Sequence, residues 1–320
     1  MAAILDIPVT LPASKMIGTM TSLIGDVRFS ETLKPSRIVN ELVNSCRVGN
    51  VDYGKGIVYT FKTATQAKKT LSETSSAFTI SKPSIAQEVL TIGTYEFIPL
   101  SYSETLARDS MLSGYLVDSF LSFVSELMED SYTFNMFDVC NGLYQNWTPP
   151  QKTQTITVPV TAEGDATGAD LKAIREMNAT AIAETMRTTI NNMLIKSTKF
   201  TDVSSNESAL ARDNTKIVFN DKYYTQFLSR AMASLYHSEK LGEMIPGENF
   251  VLLPSDSMKS GNEKVIAWVS AKEKFAFADF YRLTLSIKDP STLYTNYFYH
   301  YAYGAGVFKN APGVKFVAAA

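Results

Sequence analysis

The stretch TYEFIPLSYSETLARDSMLSGYLVDSFLSFVSELMEDSYTFNMFDVCNGLY, residues 94–144, decides how this chain is expected to fold. Its first part is rich in β-branched and aromatic residues, which predicts a half-buried strand. From Ser101-Tyr-Ser-Glu104, a capping-box spacing, apolar residues recur at helical intervals and predict a helix, or a kinked helix pair, of about 40 residues and about 60 Å. Helices of globular domains average about 12 residues, so this element is typical of a long spine. Its predicted apolar stripe comprises Leu112, Leu116, Phe120, Phe123 and Leu127, continued by Phe134, Phe137, Cys140 and Tyr144.

A two-stranded arm is predicted on the N-terminal side of this stretch. The segments IVYTFKT (57–63) and TIGTYEFIPLSY (91–102) have strand composition, and 8 of the 17 residues at 63–79 are Ser or Thr. A polar segment of this kind cannot form its own core, and an isolated two-stranded ribbon is marginal in water. We therefore expect the arm to pack on a neighbouring molecule. Residues 1–44 are interrupted by Pro and Gly, so we expect only short helical pieces there, such as 37–45.

The C-terminal side combines helical and strand patterns. A helix is predicted from Asp170 through Lys196, and a second over 221–237. Strands are predicted at 216–220, 249–254, 265–270, 291–308 and 313–317. This order indicates one α+β body with a discontinuous domain and no internal repeat.

The composition favours a chain that buries much of its surface against partners. Charged residues are 19% of the chain, below the usual value of about 25%, whereas 18 Phe, 16 Tyr and 12 Met are present. Interface cores are enriched in aromatic residues and Met and depleted of charge. The net charge of −2 argues against tight nucleic-acid binding. No apolar run is long enough for a membrane span, and the first residues lack the basic region of a signal peptide.

Few residues in the chain could carry catalysis or hold a metal. Two cysteines, Cys46 and Cys140, and two histidines, His237 and His300, make neither a zinc ligand set nor a disulfide framework. A Cys–His nucleophile has no supporting local signature. Cys140 lies on the apolar stripe of the predicted spine, where a buried, inert thiol is usual. We therefore predict no catalytic, cofactor-binding or metal site.

The segment 49–55 fits the first part of a phosphate-binding P-loop. Gly56 stands where Ser or Thr would hold magnesium, and a strand pattern follows instead of a helix. A glycine-rich turn that leads into the arm explains the segment better.

The predicted arm carries an excess of lysines over acidic residues. These lysines are Lys55, Lys62, Lys68, Lys69 and Lys82. A solvated loop explains them, and electrostatic pairing with an acidic neighbour explains them as well. The residues of the arm that we select as candidate intersubunit contacts are Lys62, Lys68, Lys69, Leu71 and Phe78.

In this order, the elements resemble the major capsid proteins of short-tailed members of the tailed bacteriophages, which have the Hong Kong 97 (HK97) type of fold. Residues 94–144 and STLYTNYFYHYAYGAGVFKNAPGVKFV (291–317) carry the resemblance. It concerns the order of elements over nearly the whole chain and includes no short invariant motif. It implies an α+β, HK97-like subunit with an N-terminal arm (1–44), an extended β-loop (45–102), a peripheral domain with the spine helix (103–155 and 290–320) and an axial domain (156–289).

The resemblance also implies a function. The chain would be a structural protein and not an enzyme, a capsid subunit that assembles as pentamers and hexamers into an icosahedral head around double-stranded DNA, without sequence-specific binding. The implied partners are other copies of the chain, a scaffolding protein, a portal and decoration proteins, with no cofactor and no membrane. The implied location is the virion, after assembly in the bacterial host cytoplasm. Some family members cross-link a loop Lys to an Asn of a neighbour, but no catalytic residue can be matched here.

Two alternatives stay open on the sequence alone. One is a non-viral, encapsulin-like shell of the same fold that encloses a cargo protein. The other, more remote, is a soluble cysteine-dependent enzyme.

Overall fold

The computed structural model of the chain describes residues 34–48, 56–64, 82, 84–91, 93–103, 114–164, 166–228, 250–292 and 294–319. Helices and strands alternate irregularly and the strands form three sheets, which confirms the α+β class. The helices are α1 (Arg37–Cys46), α2 (Gly114–Asn146), α3 (Gly168–Leu194) and α4 (Asp221–Leu228). The strands are β1 (Ile57–Lys62), β2 (Ile85–Leu90), β3 (Thr94–Ser103), β4 (Thr155–Val158), β5 (Thr215–Asn220), β6 (Phe250–Leu253), β7 (Val265–Ala271), β8 (Phe275–Asp289), β9 (Tyr294–Val307) and β10 (Gly313–Ala318).

A five-stranded sheet forms the centre of the body, in the order β4-β10-β7-β5-β6. Every residue of β5 and β7 is buried, because other elements pack on both faces of the sheet. Alternate residues of β5 enter different cores: Ile217 packs with Ile182 of α3 and Phe316 of β10. Val218 packs with Trp268 of β7 in the core that α1 and α2 share. The strands predicted at 216–220 and 265–270 are therefore confirmed and buried, whereas buried and half-buried residues alternate in β6, within the strand predicted at 249–254.

Helices α3 and α4 follow the sequence pattern closely at their N-terminal ends. The helix predicted over 170–196 spans Gly168–Leu194. The one predicted over 221–237 begins at Asp221 and is described as far as Leu228. None of the helices in the described part of the chain is long and apolar enough to cross a membrane.

Helix α2 is the predicted spine, with 33 residues and a length of about 50 Å. It ends at Asn146, before Pro149, as predicted. The predicted start was wrong: Ser101 lies in β3, where its hydroxyl donates to Asn296 Oδ1 at 2.5 Å, so it does not cap a helix. Pairing with a distant strand has overridden the local capping signal.

The buried stripe of α2 differs from the predicted one. Its members are Val124, Met128, Tyr132, Met136, Phe137, Cys140 and Tyr144. Phe123 and Leu127 are only half-buried. Apolar residues occur all around this helix, so their spacing alone did not distinguish the face that packs. The predicted members Leu112, Leu116 and Phe120 lie outside the described side chains.

The ribbon of β1 and β2 corrects the predicted arm. β1 pairs antiparallel with β2, from Ile57 opposite Leu90 to Lys62 opposite Ile85. The prediction that 91–102 closes this ribbon was wrong, because β3 pairs with β9 in a three-stranded sheet of order β3-β9-β8. β1, and not a helix, follows Gly56, which agrees with the rejection of a P-loop.

Candidate assembly surface

In the part of the chain that the structure describes, the three-stranded sheet has one face that is covered along β3 and β9, and one bare face. In an antiparallel sheet, residues directly opposite each other share a face and alternate residues point to opposite faces. Tyr132 of α2 packs on the covered face, with ring centroids 5.1 Å from Tyr301 and 5.9 Å from Tyr299. Ile98 and Leu100 of β3 also pack against this core. The covered face therefore holds the sheet on the spine.

The bare face is apolar along all three strands. Leu283 of β8 lies opposite His300 of β9, which in turn lies opposite Phe97 of β3. Ile287 is 60% exposed and Phe97 is 53% exposed. We call this set the bare sheet face; its exposed large apolar residues are Tyr95, Phe97, Tyr281, Leu283, Leu285, Ile287 and Tyr294. Contiguous exposed apolar patches mark sites of interaction.

A carboxylate fixes the point at which β8 leaves the core. Asp279 is buried and forms salt bridges with Arg47, at the end of α1, and with Arg282, each at 2.7 Å. Its carboxylate also accepts a hydrogen bond from the Tyr132 hydroxyl. The β8–β9 register shifts between Asp279 and Tyr281, which is a β-bulge. Burial is the main reason that the pKa of Tyr132 is raised well above its usual value, and the hydrogen bond to Asp279 raises it further. The hydroxyl therefore remains a donor. The bulge is therefore tied to α1 and α2.

The inner face of the ribbon lies on the same subunit. The Tyr59 ring of β1 packs against the Phe308 ring in a tilted arrangement, with ring centroids 5.2 Å apart. The Glu88 carboxylate accepts from the backbone N–H of Lys309 at 3.0 Å and from the Asn310 side chain at 3.0 Å. Leu90 Cδ1 packs where a Cβ at Gly306 would lie, so the Leu90 side chain would have to shift if this residue were not glycine. The base of the arm therefore packs on its own subunit, and the expected packing of the arm on a neighbouring molecule stays a prediction.

In the described part of the chain, the outer face of the ribbon is bare and carries apolar residues next to the polar Thr60, Lys62 and Gln87. Val58, Ile85 and Val89 are each more than half exposed. A two-stranded ribbon with apolar side chains on both faces is typical of an element covered from both sides. Its own subunit covers one side, and the other side remains available to a partner.

The sequence matches the family of Phi29-like phage major capsid proteins over residues 36–317. The chain belongs to this family.

Solved capsid structures show the same fold at low sequence identity. The capsid structure of Staphylococcus phage Andhra matches with a TM-score of 0.69 at 8% identity, and covers 93% of this chain and 89% of that chain. The mature capsid of bacteriophage PhiM1 matches with a TM-score of 0.59 at 10% identity, covering 92% and 90%. The capsid of cyanophage P-SCSP1u matches with a TM-score of 0.57 at 12% identity, covering 93% and 92%. No curated protein matches the sequence.

The HK97-like fold expected from the sequence is thus confirmed, and the protein is a structural subunit of phage capsid shells found in the virion. Among the predicted intersubunit contacts of this capsid protein, Lys62 is exposed at the end of β1. Lys68, Lys69, Leu71 and Phe78 lie outside the described residues. The bare sheet face was missed in the sequence, although the alternation of apolar residues from Tyr281 to Ile287 could have indicated a strand with one apolar face.

The cysteines of the capsid protein do not pair with the described histidine. His300 lies on the bare sheet face, with its ring 5.5 Å from that of Phe97, whereas Cys46 and Cys140 are buried in the core between α1 and α2. His237 lies outside the described residues. Within the described ranges, no three His, Cys, Asp or Glu side chains are grouped as metal ligands would be.

Proposed function

We propose that this capsid protein builds an icosahedral head from pentamers and hexamers around double-stranded DNA, and that the bare sheet face and the outer face of the ribbon are where subunits meet. The observation that carries the proposal is the change along β8, which is buried from Phe275 to Ala278 and exposed from Tyr281 to Ile287, with apolar residues at alternate positions of the exposed part. A subunit alone in water gains nothing from these exposed side chains, whereas burial of each Leu or Ile contributes about 1.5–3 kcal/mol.

The proposed contacts of the arm involve Lys62, Lys68, Lys69, Leu71 and Phe78. Lys62 is exposed at the end of β1, from which the chain continues toward the other four. The excess of lysines there suits an acidic patch on a neighbouring subunit. The proposed domain division is the N-terminal arm (1–44), the extended loop (45–102), the peripheral domain (103–155 and 290–320) and the axial domain (156–289).

The remaining parts of the proposal concern partners and place. The protein has no catalytic role, assembles in the bacterial host cytoplasm with a scaffolding protein, and joins a portal and decoration proteins. Its net charge of −2 supports a container that does not immobilise DNA, because strong phosphate binding requires many cations.

The test compares two double variants of one strand. Leu283→Glu/Leu285→Glu places two charges on the bare sheet face, and Thr284→Glu/Ser286→Glu places the same charges on exposed positions of the opposite face. We expect the first pair to give folded subunits without shells in negative-stain microscopy, and the control pair to give shells. Normal shells from the first pair would contradict the assembly surface.

The contents of the shells test the rest of the function. We expect particles isolated from producing cells to contain nuclease-protected double-stranded DNA. A protein cargo without nucleic acid would instead support the encapsulin-like alternative.

A further inference from the structure

A cluster of ionisable side chains lies far from the bare sheet face, in the core where α1 meets α2. Cys46 is the last residue of α1, Cys140 and Tyr144 lie one turn apart on α2, and Lys216 belongs to β5. All four are buried, with at most 2% of Lys216 exposed. Buried charges are rare unless they are paired, so the lysine needs an anionic partner.

The Cys46 sulfur is placed to be that partner. Lys216 Nζ lies 3.4 Å from Cys46 Sγ and donates to the Ser45 carbonyl oxygen at 2.8 Å. Its ammonium also lies 5.2 Å from the centroid of the Tyr144 ring, and the Tyr144 hydroxyl is 3.9 Å from Cys46 Sγ. In the described part of the chain, no carboxylate forms a salt bridge with Lys216.

The two thiols contact each other and differ in acidity. A hydrogen bond with Cys140 lowers the pKa of Cys46, burial opposes this, and the positive charge of Lys216 lowers it further. The same hydrogen bond, together with burial, raises the pKa of Cys140. Cys46 is therefore the more acidic of the two thiols, and it is the better source of the thiolate with which thiol–disulfide exchange begins.

A cavity reaches this pair at Cys46. It has a volume of about 580 Å³, and the charged residues of its lining are Arg47, Lys216 and Lys272 with Glu41 and Glu273. Three cations beside two carboxylates suit a small thiol compound that carries both charges with an excess of carboxylate, such as glutathione.

We propose that Cys46 and Cys140 form a reversible thiol–disulfide site in which Lys216 holds Cys46 as the attacking thiolate and a small organic disulfide is the oxidant. The Cys46 thiolate attacks one sulfur of oxidised glutathione, the glutathione S–S bond breaks, and one glutathione thiolate leaves. Cys140 then gives up its proton and attacks the Cys46 sulfur of the mixed disulfide, which releases the second glutathione. The chain loses two protons and two electrons, and one oxidised glutathione gains them as it becomes two reduced glutathione molecules.

The disulfide would tether α1 to α2 and thereby fix the base of the N-terminal arm on the spine. Disulfides persist in oxidising surroundings and are reduced in the cytosol. The site would thus change state when a shell passes from a reducing medium to an oxidising one.

The experiment uses the full-length chain, reduced and then exposed to oxidised glutathione without denaturant. The remaining thiols are alkylated after unfolding, and the peptides are identified by mass spectrometry. We expect both thiols to be lost, the peptides of Cys46 and Cys140 to be linked, and the chain to remain monomeric on a non-reducing gel. Two free thiols after prolonged exposure, glutathione adducts alone, or links between chains would each overturn the proposal.

Three variants test the order of the steps. Cys140→Ser should stop at a glutathione adduct on Cys46, and Cys46→Ser should leave Cys140 unreacted. Lys216→Met, checked for a native circular-dichroism spectrum, should slow disulfide formation about tenfold or more, because less Cys46 is ionised. If Lys216→Met forms the disulfide at the wild-type rate, Lys216 does not activate Cys46 and that part of the proposal is wrong. If Lys216→Met does not fold, the wild-type chain and the Cys140→Ser variant still decide whether the disulfide forms through a glutathione adduct on Cys46.

Discussion

The five-stranded sheet and the three-stranded sheet are built from the same kinds of residues and differ in what covers them. β7 is buried at each of its positions, with α3 on one side and the α1–α2 core on the other. β8 is buried only up to the bulge, and its outer half carries Leu283, Leu285 and Ile287 in water. An apolar strand therefore does not by itself indicate a core of the same subunit. In this capsid protein, the five-stranded sheet is enclosed by its own subunit, whereas the three-stranded sheet has one bare face, which we propose a neighbour covers.

The largest effect is expected from a charge in the enclosed region. Met136 of α2 is fully buried, so Met136→Asp places an unpaired carboxylate in the core at a cost of about 3–5 kcal/mol. We expect the subunit to be insoluble, as measured by soluble yield after expression. Ser125→Asp, on an exposed position of the same helix, is the control and should be soluble. Equal soluble yields of the two variants would mean that this side of α2 is not a core face.

A smaller effect, within one strand, tests the comparison directly. Phe277 precedes the bulge and is fully buried, whereas Leu285 follows it and is 44% exposed. Phe277→Ala should destabilise the unassembled subunit by about 3–4 kcal/mol, and Leu285→Ala by about 0.5 kcal/mol or less. Urea unfolding of the unassembled subunits measures both values. Similar losses for the two variants would show that the outer half of β8 already belongs to the subunit core.

The smallest effect on the subunit is expected at the tip of the ribbon. Residues 64–78 are mainly polar, and the free energy of loop closure changes by only about 0.6 kcal/mol per doubling of loop length. Replacing them with a short Gly-Ser turn should preserve the thermal midpoint of the unassembled subunit and yet abolish or distort shells. Scattering and microscopy measure the second outcome. Normal shells would show that residues 64–78 make no contact that assembly needs. Failure of the variant to fold would show that these residues belong to the subunit core.

The sequence predicted those elements whose signals are local. Pro149 and Pro150 end the spine at Asn146, and the apolar runs near Ile217 and Trp268 are buried strands. It did not predict which strands pair, because β3 finds its partner in β9 near the other end of the chain. β8 was missed altogether.

The candidate surface was only partly predictable for a related reason. Lysines and polar residues indicated that the ribbon is an arm, but the attachment of its base depends on Glu88 binding Asn310 and on Leu90 packing against Gly306. These contacts join residues far apart in sequence. The sequence pattern of either segment does not predict that it contacts the other.

The buried carboxylate at the bulge of β8 has a mechanical consequence. Asp279 binds Arg47 at the end of α1, Tyr132 on α2 and Arg282 on its own strand. A tension applied to the outer half of β8 by an adjoining subunit therefore does not simply bend the strand where its register is interrupted. The Asp279 carboxylate transmits this force to α1 and α2 together, so the strand is held stiffly at its bulge. Strain at the outer half of β8 is thereby shared with the segment that leads to the N-terminus.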